Sequence, residues 1–339
     1  MIELRWIGRK TRRARRGSLS VLALVGVVVT VLIAAVSTAA TSQAAIPGGS
    51  IERAAPLATA GNYVALGDSY SSGVGTGVYD PASGDCARSP LSYPPLWVTE
   101  HHPASFTFAA CSGARIADVL NTQISALRPS ADLVTITIGG NDAGFAPVLQ
   151  ICTTATSDHT CTSMVDAAEI FVLFALPIRL AQAYAAIRHA APHAQVVVLG
   201  YPRLFDLAPS CTDAQAPNVK RRSKLNQGAD LLDGVIKSVS QRFGFTFGDV
   251  RERFASHEVC SADPWINGPS GPTSGGLYHP TQTGYRNGYL PALDAVTTYT
   301  ARGERTARRD AIGAVARAAA GKLRRREIRW STRMTASRS

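Results

Sequence analysis

The sequence predicts an α/β domain built on a mainly parallel sheet with helices on both faces, and three observations predict it. Short runs rich in β-branched and aromatic residues alternate with helical patterns between about residues 60 and 300, the order expected of β–α–β units. That stretch has the length of one domain. Its glycine-rich polar segments follow the strand-like runs, where open parallel sheets bind their ligands.

The elements follow in order. TyrValAlaLeu (63–66), ThrPheAla (107–109), LeuValThrIleThrIle (133–138) and ValValValLeu (196–199) are bounded by Gly, Asp or Asn and read as strands. Apolar spacing predicts helices over Ile116–Leu127, Ile178–His189 and Lys224–Arg242, and a last helix from about Thr281 to Tyr299. Ala167–Leu176 is apolar enough for either a lid or a buried helix. GlyAspSerTyrSerSerGly (67–73), CysSerGlyAla (111–114), GlyGlyAsnAsp (139–142) and GlyTyrProArg (200–203) each follow a strand-like run, and HisPro (279–280) opens the last helix.

The net charge of +11 is unevenly spread over the 339 residues. Residues 1–17 carry seven Lys/Arg against one Glu, and residues 302–339 carry twelve basic against three acidic residues. The remaining 18–301 hold 16 basic and 20 acidic residues, a net of −4. A mildly acidic globular part lacks the basic face of a nucleic-acid binder, so no nucleic-acid partner is expected.

Four regions result. Residues 1–44, a cationic start followed by the apolar run Leu19 to Val36 and then small residues, read as a signal peptide, with an uncleaved membrane anchor as the alternative. Ser42 and Ala44 suit the −3 and −1 positions of a cleavage site. Residues 45–61 form a linker and 62–300 the globular domain. The basic tail, 301–339, is expected to be disordered or a short amphipathic helix through Ile312, Val315, Ala319 and Leu323. Either end could touch a membrane surface. The expected location is extracellular.

Six cysteines in an exported chain imply three disulfides, and the lack of any CxxC pair speaks against zinc. Fifteen pairings exist on counting alone. Sequential pairing is preferred, because Cys152 and Cys161 share one loop, and Cys211 and Cys260 flank a polar, Pro-containing stretch.

Ser69 stands in a turn at a strand end, the setting in which a serine becomes a usable nucleophile if a base is in reach. The GxSxG elbow is absent, since Ser71 occupies the place of its second glycine. Gly113 can present an unobstructed backbone N–H, and Asn141 an amide N–H, to a developing oxyanion. Of seven histidines, His101, His102, His159, His189 and His193 fall in polar loops or on helix surfaces. His257 lies in a cysteine-rich loop, whereas His279, before Pro280, is fixed at a helix start and is the better base.

GlyAspSerTyr (67–70), Gly113, GlyGlyAsnAsp (139–142) and HisPro (279–280) resemble, in order and spacing, the SGNH or GDSL-type hydrolases over roughly residues 62–300. The six cysteines and AspProTrp (263–265) further resemble the secreted bacterial esterase/lipase branch. The resemblance implies a flavodoxin-like three-layer α/β/α sandwich, Ser69 as nucleophile and His279 as base. It also implies an oxyanion hole from Ser69, Gly113 and Asn141, no metal and no cofactor. It further implies the disulfides Cys86–Cys111, Cys152–Cys161 and Cys211–Cys260. Many family members carry Asp three residues before the histidine, where this chain has Gly276. The resemblance therefore implies a dyad whose histidine is oriented by the Gly276 backbone carbonyl, with Asp263 as rival.

The expected function is a monomeric serine esterase or lipase acting on small-molecule or lipid esters through an acyl-enzyme. The alternatives are an O-deacetylase of carbohydrate or cell-envelope polymer and a catalytically silent acyl- or glycan-binding module. Phe145, Val148, Leu149, Phe171, Phe174 and Trp265 could line an acyl groove or simply pack the core.

Overall fold

Five short strands, each apolar where it crosses the core, form one parallel sheet. They are β1 (Asn62–Gly67), β2 (Ser105–Phe108), β3 (Ala131–Thr137), β4 (Gln195–Leu199) and β5 (Thr246–Gly248), in the order β2-β1-β3-β4-β5. This is the flavodoxin-like order, and the expected fold class holds. Every residue of β3 is buried, whereas β2 alternates exposed and half-buried positions, as an edge strand does. The computed structural model describes residues 61–271 and 276–297. The leader, the linker apart from its last residue, and the basic tail lie outside the described residues.

The helices are α1 (Ser69–Ser72), α2 (Tyr93–His101), α3 (Ile116–Asn121), α4 (Phe145–Thr154), α5 (Asp158–Phe174), α6 (Leu176–Ala190), α7 (Val219–Arg242), α8 (Arg251–Phe254) and α9 (Leu290–Val296). Helices α3, α6 and α7 form one layer, with α5 packed outside on α7. A π turn (Gly284–Tyr289), α2 and α9 form the other.

Three expectations need correction. The segment Ala167–Leu176 spans the end of α5 and the start of α6: Val172 and Leu176 are buried, while Phe174 is 74% exposed and Ile178, just beyond, 65%. It is helical and only partly buried. Pro280 does not open the last helix; it bridges to Ile266 in an isolated antiparallel contact. The expected last helix is present from residue 282 to 296, but it passes through a π turn before α9, whose Pro291 has no N–H to contribute to the ladder.

The disulfides are Cys86–Cys111, Cys152–Cys161 and Cys211–Cys260. The first ties the loop after α1 to the end of β2, next to the segment that carries Gly113. Arg221 of α7 reinforces the second, donating to the carbonyls of Cys152 (3.1 Å) and Ala155 (2.8 Å) and pairing with Asp158 at 2.7 Å.

Candidate active site

In a 2-1-3-4-5 sheet the chain leaves β1 toward β2 and leaves β3 toward β4, so a crevice opens at the carboxyl ends of β1 and β3. Ser69 follows β1, and Asn141 follows β3. Asp68 accepts the Tyr70 N–H at 3.0 Å, which caps α1 and makes Ser69 its first residue. Asp68 also donates its own N–H to the Thr137 carbonyl at 2.9 Å, which ties the turn to the end of β3.

The Ser69 hydroxyl is 2.8 Å from Nε2 of His279, 210 positions downstream. Nδ1 of the same ring is 2.8 Å from the Leu277 carbonyl. A carbonyl can only accept, so Nδ1 carries the hydrogen and Nε2 presents its lone pair to the serine. The expectation of a Gly276 orienter is therefore corrected to Leu277. The Gly276 carbonyl instead accepts the backbone N–H of His279 at 3.2 Å, closing the turn. Asp263 is not a partner either: its carbonyl accepts from Nδ1 of His257, and its carboxylate from the Trp265 indole at 3.1 Å.

The reason for the i−2 contact lies in Tyr278, a non-glycine residue held at φ +61°. That conformation turns the chain sharply enough to bring the Leu277 carbonyl back against the imidazole. Such strain persists only where the surroundings enforce it. Here the Tyr70 hydroxyl donates to the Tyr278 carbonyl at 2.5 Å, the Tyr278 N–H bonds the Asn267 carbonyl at 2.7 Å, and the Tyr278 hydroxyl meets Thr153 at 2.5 Å. Gly75 completes the packing, since a Cβ there would lie 2.4 Å from the Pro280 carbonyl and 2.9 Å from Cβ of His279.

The segments expected to carry the oxyanion donors are tied down on either side of Gly113 and at Asn141. The Ser112 N–H bonds the Cys86 carbonyl at 3.0 Å, and the Cys111 N–H bonds Gly67 at 3.0 Å, which fixes the chain on both sides of the disulfide next to Gly113. Asn141 donates one amide hydrogen to the Ala114 carbonyl at 3.0 Å and has a second. Asp142 accepts the Ile116 N–H at 2.9 Å and faces Arg179 at 3.7 Å, locking the β3 loop to the start of α3.

Burial pushes the His279 imidazole down to about 4, only partly offset by the Leu277 carbonyl, so the base is neutral at ordinary pH. Burial pushes Asp68 up to about 7, opposed by the hydrogen bond from Tyr201. A groove of about 470 Å³ opens beside His279, lined among others by Phe145, Leu149, Pro269, Leu277 and Tyr278. Val148 lines a neighbouring apolar cavity of about 60 Å³ that shares Phe145 and Leu149. Phe171, Phe174 and Trp265 line neither. Tyr70, Leu277 and Tyr201 had no assigned role in the sequence. Tyr70 and Tyr201 left a signal there, each standing in a segment that follows a strand-like run, whereas Leu277 left none.

The model of the GDSL-like lipase/acylhydrolase family matches residues 65–286. Lipase 1 of Streptomyces coelicolor is 45% identical over 251 residues, 74% of this chain and 92% of its own length. A lipase of Streptomyces rimosus is 46% identical over 257 residues, 76% of this chain and 94% of its own length. Among solved structures, phospholipase A1 from Streptomyces albidoflavus is 47% identical with a TM-score of 0.68, and an extracellular lipase from Streptomyces rimosus is 46% identical with a TM-score of 0.67. Each matches 70% of this chain and 100% of its own.

Proposed function

The chain belongs to the GDSL-like lipase/acylhydrolase family, and from that premise we propose that it is an extracellular serine ester hydrolase acting on lipid acyl esters through a Ser69–His279 dyad. The observation that carries the reading is the 2.8 Å approach of Nε2 to the Ser69 hydroxyl, with the tautomer set by the Leu277 carbonyl.

The serine proton moves to Nε2 as Oγ bonds the ester carbonyl carbon, and the carbonyl electron pair becomes an oxyanion. Backbone N–H groups of Ser69 and Gly113 and the free amide hydrogen of Asn141 receive that charge. Collapse expels the alcohol, which takes the proton from His279. Water then repeats the sequence on the acyl-enzyme, with His279 as base and then acid. A neutral carbonyl fixes the imidazole but stabilises its cationic form less than a carboxylate would.

The groove beside His279, in which Phe145, Leu149, Pro269 and Leu277 stand among Gln150, Thr153, Thr154 and Gln215, supports an acyl chain through its apolar side. The cationic and apolar leader and the three disulfides support action outside the cell. The test is fluorophosphonate labelling with peptide mapping, beside a chain-length series of p-nitrophenyl esters. Label on Ser69, lost together with turnover in Ser69→Ala, is expected. Labelling elsewhere, or unchanged turnover by the variant, overturns the assignment.

A further inference from the structure

We infer that Tyr201 is a positioning residue that sets the spacing between the nucleophile and the oxyanion donors. The inference rests on the proposed role of Ser69. Tyr201 is buried at the carboxyl end of β4, contributes no atom to the Ser69–His279 pair, and touches the loops that do.

Its hydroxyl donates to Asp68 at 2.5 Å and accepts the backbone N–H of Gly140 at 3.0 Å. Asp68 directly precedes Ser69 and holds the Tyr70 N–H. Gly140 directly precedes Asn141, and its own carbonyl accepts the Phe145 N–H at 3.0 Å. One oxygen atom thus joins the carboxylate of the residue before the nucleophile to the backbone N–H of the residue before the proposed oxyanion-binding amide. The Tyr201 ring meets Tyr70 edge-on at 5.0 Å, and Tyr70 in turn lies 4.9 Å from the His279 ring. The backbone N–H of Tyr201 is anchored to Asp233 of α7 at 2.9 Å, so the bridge stands on a fixed base.

The bridge also explains Gly140. A Cβ there would lie 3.1 Å from both Cζ and the hydroxyl oxygen of Tyr201, tighter than ordinary contact, so an alanine would press the phenol away from the N–H by a few tenths of an ångström. Removing the hydroxyl leaves the Gly140 N–H and one Asp68 oxygen buried without their partner, and the two loops can drift apart. A shift of that kind weakens charge stabilisation in the transition state and leaves ground-state binding nearly intact.

The experiment compares Tyr201→Phe, Gly140→Ala and the double variant, each with its active sites counted by fluorophosphonate titration so that misfolded enzyme does not enter kcat. Titrated kcat is expected to fall about tenfold or more in each single variant, below the loss for deleting a whole oxyanion donor. KM should stay within about twofold. Affinity for a boronic acid that forms a tetrahedral adduct should fall in step with kcat/KM. The double variant should be no worse than the poorer single one, because both break the same contact. Unchanged titrated kcat in Tyr201→Phe, a loss confined to KM, or additive losses overturn the inference. Failure of the wild-type enzyme to label at Ser69 strikes instead at the proposed nucleophile, so the two outcomes are distinguishable. If Tyr201→Phe does not fold, Gly140→Ala alone decides by the same kcat and KM criteria.

Discussion

Tyr70 and Tyr278 are joined by a 2.5 Å hydrogen bond from the phenol of one to the carbonyl of the other, across 208 positions of sequence. The residue after the proposed nucleophile therefore holds the strained residue before the proposed base. Tyr70→Phe removes that donor and leaves a buried carbonyl unpaired, which costs about 1–3 kcal/mol. Thermal or urea unfolding should show the loss, and kcat should fall because Tyr278 is freer to leave φ +61° and take the Leu277 carbonyl off the imidazole. Wild-type stability and turnover in the variant would refute this coupling.

The acid limb of the activity profile reads His279. Burial lowers its pKa to about 4, so the limb due to His279 should appear only as pH drops through about 4, apart from any step near 7 due to Asp68. A His279 limb near the unperturbed value of about 6.5 would show that the imidazole is not desolvated as the structure has it. Stability follows the same sign. The unfolded chain binds this proton more readily, so the His279 contribution increases as pH rises from about 4 to about 6.5.

Asp233 acts in the opposite direction. It is fully buried, burial pushes it up to about 8, and one of its oxygens has no hydrogen-bond partner. Its folded pKa lies above the unfolded one, so its contribution is complete below the unfolded value and is lost as pH rises through about 8. Asp233→Asn keeps an acceptor for the Tyr201 N–H and should flatten the decline of stability between pH 5 and 8. Urea midpoints measured across that range, equally steep in both proteins, would remove Asp233 as the cause.

The disulfides should differ in worth by the chain they close. In the loop-entropy model, Cys211–Cys260, with a separation of 49, contributes roughly 4 kcal/mol, and Cys152–Cys161, with a separation of 9, roughly 2–3 kcal/mol. Paired Cys→Ser variants, compared by urea unfolding, should rank in that order. The reverse ranking would mean that the Arg221 contacts near the short loop depend on its disulfide.

Four of the five strands were legible because each is an apolar run ending at a glycine or a turn. β5 was not, since Thr246–Gly248 is too short to show a period. The segments after the strands were legible for the same reason, and parallel topology then gathers them at one end of the sheet. What orients His279 was hidden, because a backbone carbonyl carries no residue signature and its placement depends on a left-handed tyrosine. The HisPro pair misled for a related reason. Pro280 favours a helix start locally, but its carbonyl neighbourhood is claimed by Gly75 and its backbone by Ile266. The Tyr201 bridge was invisible because hydroxyl contacts across 133 positions follow from the fold alone.

Placing a carboxylate three residues before the histidine, the arrangement the family resemblance raised, should not help this chain. At position 276 a Cβ would sit 3.2 Å from Cα of Gly75, the residue whose bare Cα admits the His279 loop. Gly276→Asp therefore forces apart two backbones that are already in contact, and overpacking of this kind costs about 1–3 kcal/mol. Nδ1 is also committed to Leu277, so a new carboxylate would have to displace a formed hydrogen bond before it could stabilise the imidazolium. The expected result is lower kcat and lower stability together, with the acid limb still near 4. A rise in kcat with the limb shifted upward would show instead that the loop can reorganise around an acidic orienter, and that the carbonyl contact is only one of two accessible arrangements.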